Sequence, residues 1–192
     1  MFRGVHAPRI VGYPMKNGPT GRPTQDNSAG CESCAMTADL RLCPLRSSED
    51  ADRFAAMLAP GYFGNEDVPR QTLEQTRVFL TAHPRPDPWG AYLVWDGDTV
   101  VGVCAFKSAP DSAGAVEIAY GTSPAYEGRG YAKGMIFALF ALAVRSGASM
   151  VFAHTLPGNS ASNGALHREG CSFAGEVTDP EDGPVWRWEK RA

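Results

Sequence analysis

Seven short runs after residue 38 are typical of β-strands, and in the first of them the apolar Leu40 and Leu42 alternate with Arg41 and Cys43. Asp96-Gly97-Asp98 joins two of these runs and is typical of a hairpin turn. Pro44 makes the end of the first run an edge or exit position. The seven predicted strands are 39–43, 89–94, 99–106, 115–121, 149–155, 172–177 and 185–189.

Helices are predicted between these strands, where apolar residues recur at spacings of three and four. The clearest helix is 132–144, with apolar residues at i, i+3, i+4 and i+7 counted from Ile136. An earlier helix begins with the cap and first-turn acids of residues 47–50 and ends at Pro60-Gly61. Further helices at 68–82 and 160–168 give the predicted order β-αα-βββ-α-β-α-ββ.

The composition indicates one globular domain behind an irregular arm. The 192 residues suffice for one sizeable core. Residues 1–35 are rich in Gly, Pro, Ser, Asn and Thr without periodicity, so we predict a flexible or irregular arm before a domain at 36–192.

The chain has a net charge of -3 and lacks the basic stripe that is expected of a nucleic-acid binder. No apolar run approaches the roughly 20 residues that cross a membrane, and no secretion signal is recognisable. We therefore expect a cytoplasmic protein.

The cysteines do not indicate a disulfide framework or a metal site. Their number, five, is odd. Cys31 and Cys34 form a C-x-x-C pair, but a closed zinc site needs four ligands, and only Cys43 and His6 are near in sequence. We expect no metal, and the role of this pair stays open.

The segment with the most chemical information is VEIAYGTSPAYEGRGYAKG, residues 116–134, where a strand leads through a glycine turn into a helix. Gly128 and Gly130 let the backbone approach a bulky anion, and the first turn of a helix offers unpaired N–H groups. A pyrophosphate group fits such a turn. The spacing matches neither a P-loop nor a G-x-G-x-x-G fingerprint. A different nucleotide-binding module and a purely architectural turn remain alternatives.

Residues 127–132, Glu-Gly-Arg-Gly-Tyr-Ala, resemble the Q/R-x-x-G-x-G/A signature of the GNAT superfamily of N-acetyltransferases, although Glu127 departs from Gln or Arg. Downstream, LPGNSASNGALHREGCSF resembles the Asn-x-x-Ser helix start and Gly-Phe of this family, with Cys171 where Phe is usual. The resemblance covers 38–190 and is to the ribosomal-protein-alanine acetyltransferase-like branch. It implies an α/β (α+β) domain whose mixed, mostly antiparallel central sheet is flanked by helices and splayed where acyl-CoA enters.

The resemblance also implies roles for individual residues. It places a base at Glu117 and an orienting or proton-donating hydroxyl at Ser162, while Asn159 would bond the pantetheine. Backbone groups at Thr122 and Ser123 would pair with the pantetheine arm. The pyrophosphate would be held by five consecutive residues, namely Gly128, Arg129, Gly130, Tyr131 and Ala132.

Each of these roles has a structural alternative. Glu117 is also typical of a solvated strand carboxylate, and Asn159 and Ser162 suit helix capping equally well. Many relatives carry a proton-donating Tyr where this chain has Leu166, which leaves the general acid open. The adjacent His167 is more typical of an exposed helix residue.

The predicted reaction is direct transfer of an acetyl group from the cosubstrate acetyl-CoA to a primary amine. The acceptor is a small molecule or a protein N-terminus, and the sequence does not distinguish between them. No acyl-cysteine intermediate is expected, because no cysteine has a His partner in the motif. The alternative is a non-catalytic acyl-CoA-binding or interaction module, which Glu127, Leu166 and Cys171 keep open. An exposed closing strand offers a route to a homodimer.

Overall fold

A computed structural model describes residues 35–36, 40–46, 87–158, 160–180 and 182–192. Both helices predicted before residue 83, almost all of the predicted arm and the Cys31/Cys34 pair lie outside these ranges. The described strands are β1 (Ala35–Met36), β2 (Arg41–Leu45), β3 (Ala91–Asp96), β4 (Thr99–Phe106), β5 (Ala115–Thr122), β6 (Met150–Thr155), β7 (Ser172–Asp179) and β8 (Gly183–Arg191). The described α-helices are α1 (Tyr131–Arg145) and α2 (Ala161–Arg168).

One sheet contains these strands in the order β1-β2-β3-β4-β5-β6-β8-β7. Neighbouring strands are antiparallel except β5 and β6, which are parallel. A parallel pair cannot be joined by a tight turn and needs a crossover, which α1 supplies. The predicted fold class, a mixed and mostly antiparallel sheet flanked by helices, is confirmed.

Strand β2 is longer than predicted. It runs through Pro44 and ends at Leu45, two residues beyond the predicted end. The short strand β1 pairs only with Arg41 and Leu42. Pro44 therefore has no neighbour on that side among the described residues, and its missing N–H leaves no strand partner unsatisfied. β1 itself was not predicted, because two residues are too few to show a period.

The main hydrophobic core lies between one face of the sheet and the two helices. β5 and β6 contribute alternate residues to it, since side chains two apart on a strand share a face. A smaller cluster around Leu45 and Leu93 lies apart from this core, with Trp95, Val100 and Val103 packed against it. The largest fully buried side chains of the main core include Phe106, Leu42, Met135, Ile136, Leu139 and Leu166.

Two glycines allow α1 to pack closely on its neighbours. A Cβ atom at Gly102 of β4 would lie 2.3 Å from the Gly121 carbonyl oxygen and 2.5 Å from Met135 Cε. A Cβ atom at Gly134 of α1 would lie 2.6 Å from Leu40 Cδ1. Side chains at these positions would push the start of α1 away from the sheet.

We expect Gly102→Ala to lower the free energy of unfolding by about 1–3 kcal/mol, the usual cost of overpacking a core. The added methyl group meets a backbone oxygen that cannot move without disturbing β5. Urea unfolding monitored by tryptophan fluorescence measures the loss. Gly90→Ala is the matched control, because a Cβ atom at Gly90 meets nothing within 4 Å. Equal stability of the two variants would contradict this account of the packing.

Candidate functional site

β5 and β6 pair over three residues and then separate. β5 continues to Thr122 along β4, whereas β6 continues to Thr155 along β8. A wedge-shaped opening, called the splay below, therefore lies between residues 118–122 of β5 and residues 153–155 of β6. The three pairs before it are Ala115 with Met150, Val116 with Val151, and Glu117 with Phe152.

Backbone groups of β5 line one side of the splay. The Ser123 N–H donates to the Val101 carbonyl at 2.8 Å, which fixes the direction of alternate peptide groups along β5. Tyr120 and Thr122 consequently direct their N–H and C=O groups into the splay. An extended chain could pair with them as an added strand. This geometry suits the pantetheine contact predicted at Thr122, whereas the N–H of Ser123 is already occupied.

The glycine turn after β5 forms an exposed cradle of N–H groups, which is called the glycine cradle below and comprises residues 128–132. Gly128 and Gly130 have φ angles of 74° and 87°, in the left-handed region that favours glycine. No side chain caps α1 at Gly130. The N–H groups of the first turn of α1 lack intrahelical partners. The cradle can therefore bind an anion.

Side chains around the glycine cradle brace it. The Tyr131 hydroxyl donates to Asp96 Oδ2 at 2.5 Å, which ties α1 to the β3–β4 hairpin. This hydrogen bond is the main reason why the pKa of Tyr131 is raised. The Arg129 guanidinium lies 5.3 Å from the ring centroid of Tyr126. Glu127 is exposed. Tyr131 can thus offer its backbone to an anion while its side chain holds the turn.

The second helix also begins at this end of the sheet. Ser160 is its N-cap, and the Ser160 hydroxyl accepts a hydrogen bond from the Asn163 N–H at 3.2 Å. The alternative that Ser162 caps this helix is therefore wrong. Ser162 lies one residue inside the helix and is half-buried. Asn159, the predicted pantetheine ligand, lies outside the described residues.

Asn163 organises the connection between β6 and α2, although the sequence analysis did not single it out. This side chain is buried. Its Oδ1 accepts from Thr155 Oγ1 at 2.5 Å and from Trp188 Nε1 at 3.1 Å. Its Nδ2 donates to the carbonyl oxygens of Gly158 and Leu156. Asn163 therefore fixes the path of the loop that leads to Ser162. Only its place beside Ser162 in the motif could have drawn attention to it.

A second missed residue is Tyr120, which extends from β5 to α2. Its hydroxyl lies 3.4 Å from the Ser162 carbonyl oxygen, a weak hydrogen bond. Burial raises the pKa of Tyr120, so the phenol stays protonated and can only donate or accept hydrogen bonds. Leu166 is buried in the core. In the sequence, Tyr120 resembles any core aromatic residue of a strand, so periodicity alone gives no signal of a special role.

Glu117 lies where the splay begins, on the sheet face opposite α1 and α2. Its Oε1 is 2.6 Å from Lys107 Nζ and 3.2 Å from His154 Nδ1. These are ion-pair distances, yet neither contact has the angles of a hydrogen bond. The Glu117 carboxylate is therefore close to both groups but incompletely hydrogen-bonded. Its side chain is 16% exposed, so a freely solvated carboxylate does not describe it.

The cysteines of the described ranges are not arranged as nucleophiles. Burial raises the pKa values of Cys104 and Cys171, so their thiols stay protonated. Cys43 is disulfide-bonded. Across the same ranges, no group of three or more His, Cys, Asp or Glu side chains is placed to hold a metal ion. No helix there is long and apolar enough to cross a membrane.

Comparison with known protein families identifies the family of this domain. The model of the acetyltransferase (GNAT) domain matches residues 39–172. This range contains the splay, the glycine cradle and α2. Compared by sequence, the chain matches none of the curated proteins.

Solved structures with the same fold are distant in sequence. The acetyl transfer enzyme from Salmonella typhimurium that modifies the N-terminal serine of ribosomal protein L7/L12 has a TM-score of 0.62 at 14% identity, covering 81% of this chain and 96% of its own. The ribosomal-protein-S5-alanine acetyltransferase from Vibrio fischeri has a TM-score of 0.60 at 14% identity, covering 83% of this chain and 97% of its own. The microcin C7 self-immunity acetyltransferase MccE, solved with acetyl-CoA and AMP, has a TM-score of 0.62 at 15% identity. The match covers 81% of this chain and 94% of that one. At these identities the likeness shows the fold.

We expect Asn163→Ala to reduce the free energy of unfolding by about 2–3 kcal/mol, because it leaves buried donors and acceptors without a partner. Ser160→Ala is the matched comparison, since it removes only the cap of the same helix and costs about 1 kcal/mol. Urea unfolding of both variants gives the difference. A smaller loss for Asn163→Ala than for Ser160→Ala would contradict the organising role of Asn163.

Proposed function

Because this chain belongs to the GNAT acetyltransferase family, we propose that it transfers an acetyl group from acetyl-CoA directly to a primary amine, with a protein N-terminus as the preferred acceptor. The supporting observation is that the splay and the glycine cradle lie at the same end of β5. An acyl-CoA molecule can lay its pantetheine arm in the splay and its pyrophosphate on the cradle. Ligands of parallel strands are commonly bound at this carboxyl end.

The acceptor amine approaches the thioester where β5 and β6 separate, next to Glu117. In this proposal the carboxylate takes a proton from the ammonium group, directly or through a water molecule. The neutral amine then attacks the thioester carbonyl, the new C–N bond forms, and the C–S bond breaks. The attacking nitrogen gives up its second proton and the CoA thiolate takes up one proton, so the products are an acetamide and the CoA thiol. The proton taken by Glu117 passes to solvent.

The protein N-terminus is favoured over a lysine side chain by proton energetics. At pH 7 an α-amine with a pKa near 8 loses its proton at a cost of about 1.4 kcal/mol, against about 4.6 kcal/mol for a lysine amine. A carboxylate is a weak base, so the cheaper deprotonation suits it better. One of the similar structures is an enzyme that modifies the N-terminal serine of a ribosomal protein, and another is named a ribosomal-protein-S5-alanine acetyltransferase. Small-molecule amines are the competing acceptors.

Two hydroxyl groups are positioned to assist the departing thiolate. Ser162 is in the first turn of α2, whose N–H groups favour negative charge. The Tyr120 phenol lies next to the Ser162 carbonyl and stays protonated. We assign the proton-donating or orienting role to Ser162, as the family resemblance implies, and a supporting hydrogen bond to Tyr120. Pantetheine binding by Asn159 stays a prediction.

The competing function is a module that binds acyl-CoA without turnover. Leu166 fills the core where relatives carry a tyrosine, which removes one potential acid. Activity assays therefore have to be separated from binding assays. Acetyl-CoA binding without release of thiol on any amine of a broad panel would favour the module.

The location and assembly of the protein stay predictions of the sequence. We propose a cytoplasmic enzyme that dimerises through β7. That strand pairs only with β8 within the described part of the chain, and a strand at the end of a sheet can pair with a strand of a second chain.

We expect Gly130→Ala to weaken acetyl-CoA binding about tenfold, which corresponds to about 1.4 kcal/mol. An alanine is strained at the left-handed φ of 87°, so the cradle changes shape. Gly147→Ala is the matched control, since Gly147 has a φ of 90° at the other end of the same helix and equally open surroundings. Calorimetric titration measures both dissociation constants. Equal affinities would show that the cradle does not hold the cosubstrate.

We expect Glu117→Gln to lower kcat at least about 100-fold at neutral pH, the usual contribution of a general base, and to leave acetyl-CoA binding intact. Thiol release with a peptide bearing a free N-terminus measures the rate. Glu176→Gln is the control, because Glu176 is an exposed carboxylate on β7, away from the splay. An unchanged rate for Glu117→Gln would remove the base assignment.

A further inference from the structure

A histidine without an assigned role lies next to the proposed base. His154 is on β6, two residues after Phe152, and Phe152 pairs with Glu117 across the parallel ladder. His154 and Glu117 therefore project from the same face of the sheet. Both side chains are largely buried, and His154 Nδ1 is 3.2 Å from Glu117 Oε1.

The residues around His154 limit which groups can form a hydrogen bond with its imidazole ring. Its ring lies against Phe152, with centroids 5.5 Å apart. Arg187, its neighbour on β8, stacks on Phe152 and donates to Glu189 Oε1 at 2.6 Å. Neither imidazole nitrogen has a partner with hydrogen-bond geometry among the described residues. Because buried polar atoms are almost always paired, a contact with the Glu117 carboxylate after a small ring rotation accounts best for this placement.

We propose that His154 is a positioning residue for Glu117. The neutral imidazole donates its Nδ1–H to Glu117 Oε1, and Lys107 Nζ contacts the same oxygen from the other side. Oε1 is thereby held, and Oε2 is presented to the acceptor amine at the splay. This inference rests on the proposed function, in which Glu117 is the base.

Two substitutions separate positioning from packing. His154→Ala removes the donor and is expected to lower kcat roughly 10- to 100-fold, as misplacement of a reacting group does, with the KM for acetyl-CoA unchanged. His154→Asn keeps an N–H donor close to the Nδ1 position and is expected to restore most of kcat. His167→Ala, at an exposed histidine of α2, is the control.

The outcomes that overturn the proposal are specific. A wild-type kcat in His154→Ala would do so. Failure of His154→Asn to restore activity, with unchanged thermal stability, would also exclude donation from Nδ1.

A measurement without turnover keeps this inference separate from the proposed function. The 15N chemical shifts of the His154 ring report which nitrogen carries the proton. We expect the Nδ1–H tautomer in the wild type and its loss in Glu117→Ala. An Nε2–H tautomer in the wild type would overturn the pairing even in an active enzyme. If the wild type transferred acetyl to no amine, the proposed function would fail, and the spectrum would decide the pairing by itself.

Discussion

The parallel ladder between β5 and β6 stops after three residue pairs, and the rest of the site depends on this interruption. Peptide groups inside a sheet are normally paired, because an unpaired buried N–H or C=O is costly. Those of Tyr120 and Thr122 face the gap instead and can pair with an extended ligand. The two strands stay joined at their other ends, where Val116 and Val151 lie in the same core. The gap is thus anchored in a rigid part of the fold.

Both helices begin at the open end of this gap. α1 leaves β5 through the glycine cradle, and α2 leaves β6 through the loop that Asn163 organises. Each helix places unpaired N–H groups of its first turn at the same edge of the sheet. The close packing at Gly102 and Gly134 fixes α1 against β4 and Leu40. The N–H groups that can bind an anion at this edge therefore belong to the backbone, and the side chains Tyr131 and Asn163 hold that backbone in place.

Polar side chains on the two faces of the sheet differ in how completely they are hydrogen-bonded. On the helix face, Asn163 has partners for both its oxygen and its nitrogen, as expected of a buried polar group with a structural role. On the opposite face, Glu117 and His154 are close but incompletely satisfied. Unsatisfied titratable groups at the point where strands separate are typical of functional sites, where a ligand or a proton completes the set.

The sequence by itself determined the strands and helices from residue 89 onward, the glycine turn and the family. These features depend on local periodicity, on the backbone freedom of Gly128 and Gly130, and on spacing within one segment. It did not determine the cap of α2, because Asn159 and Ser162 were the candidates from the sequence, whereas the structure places Ser160 at the N-cap. The tertiary structure alone brought Tyr120 to α2 and His154 to Glu117. Both contacts join residues far apart in the chain. They depend on strand register, which no local sequence pattern specifies.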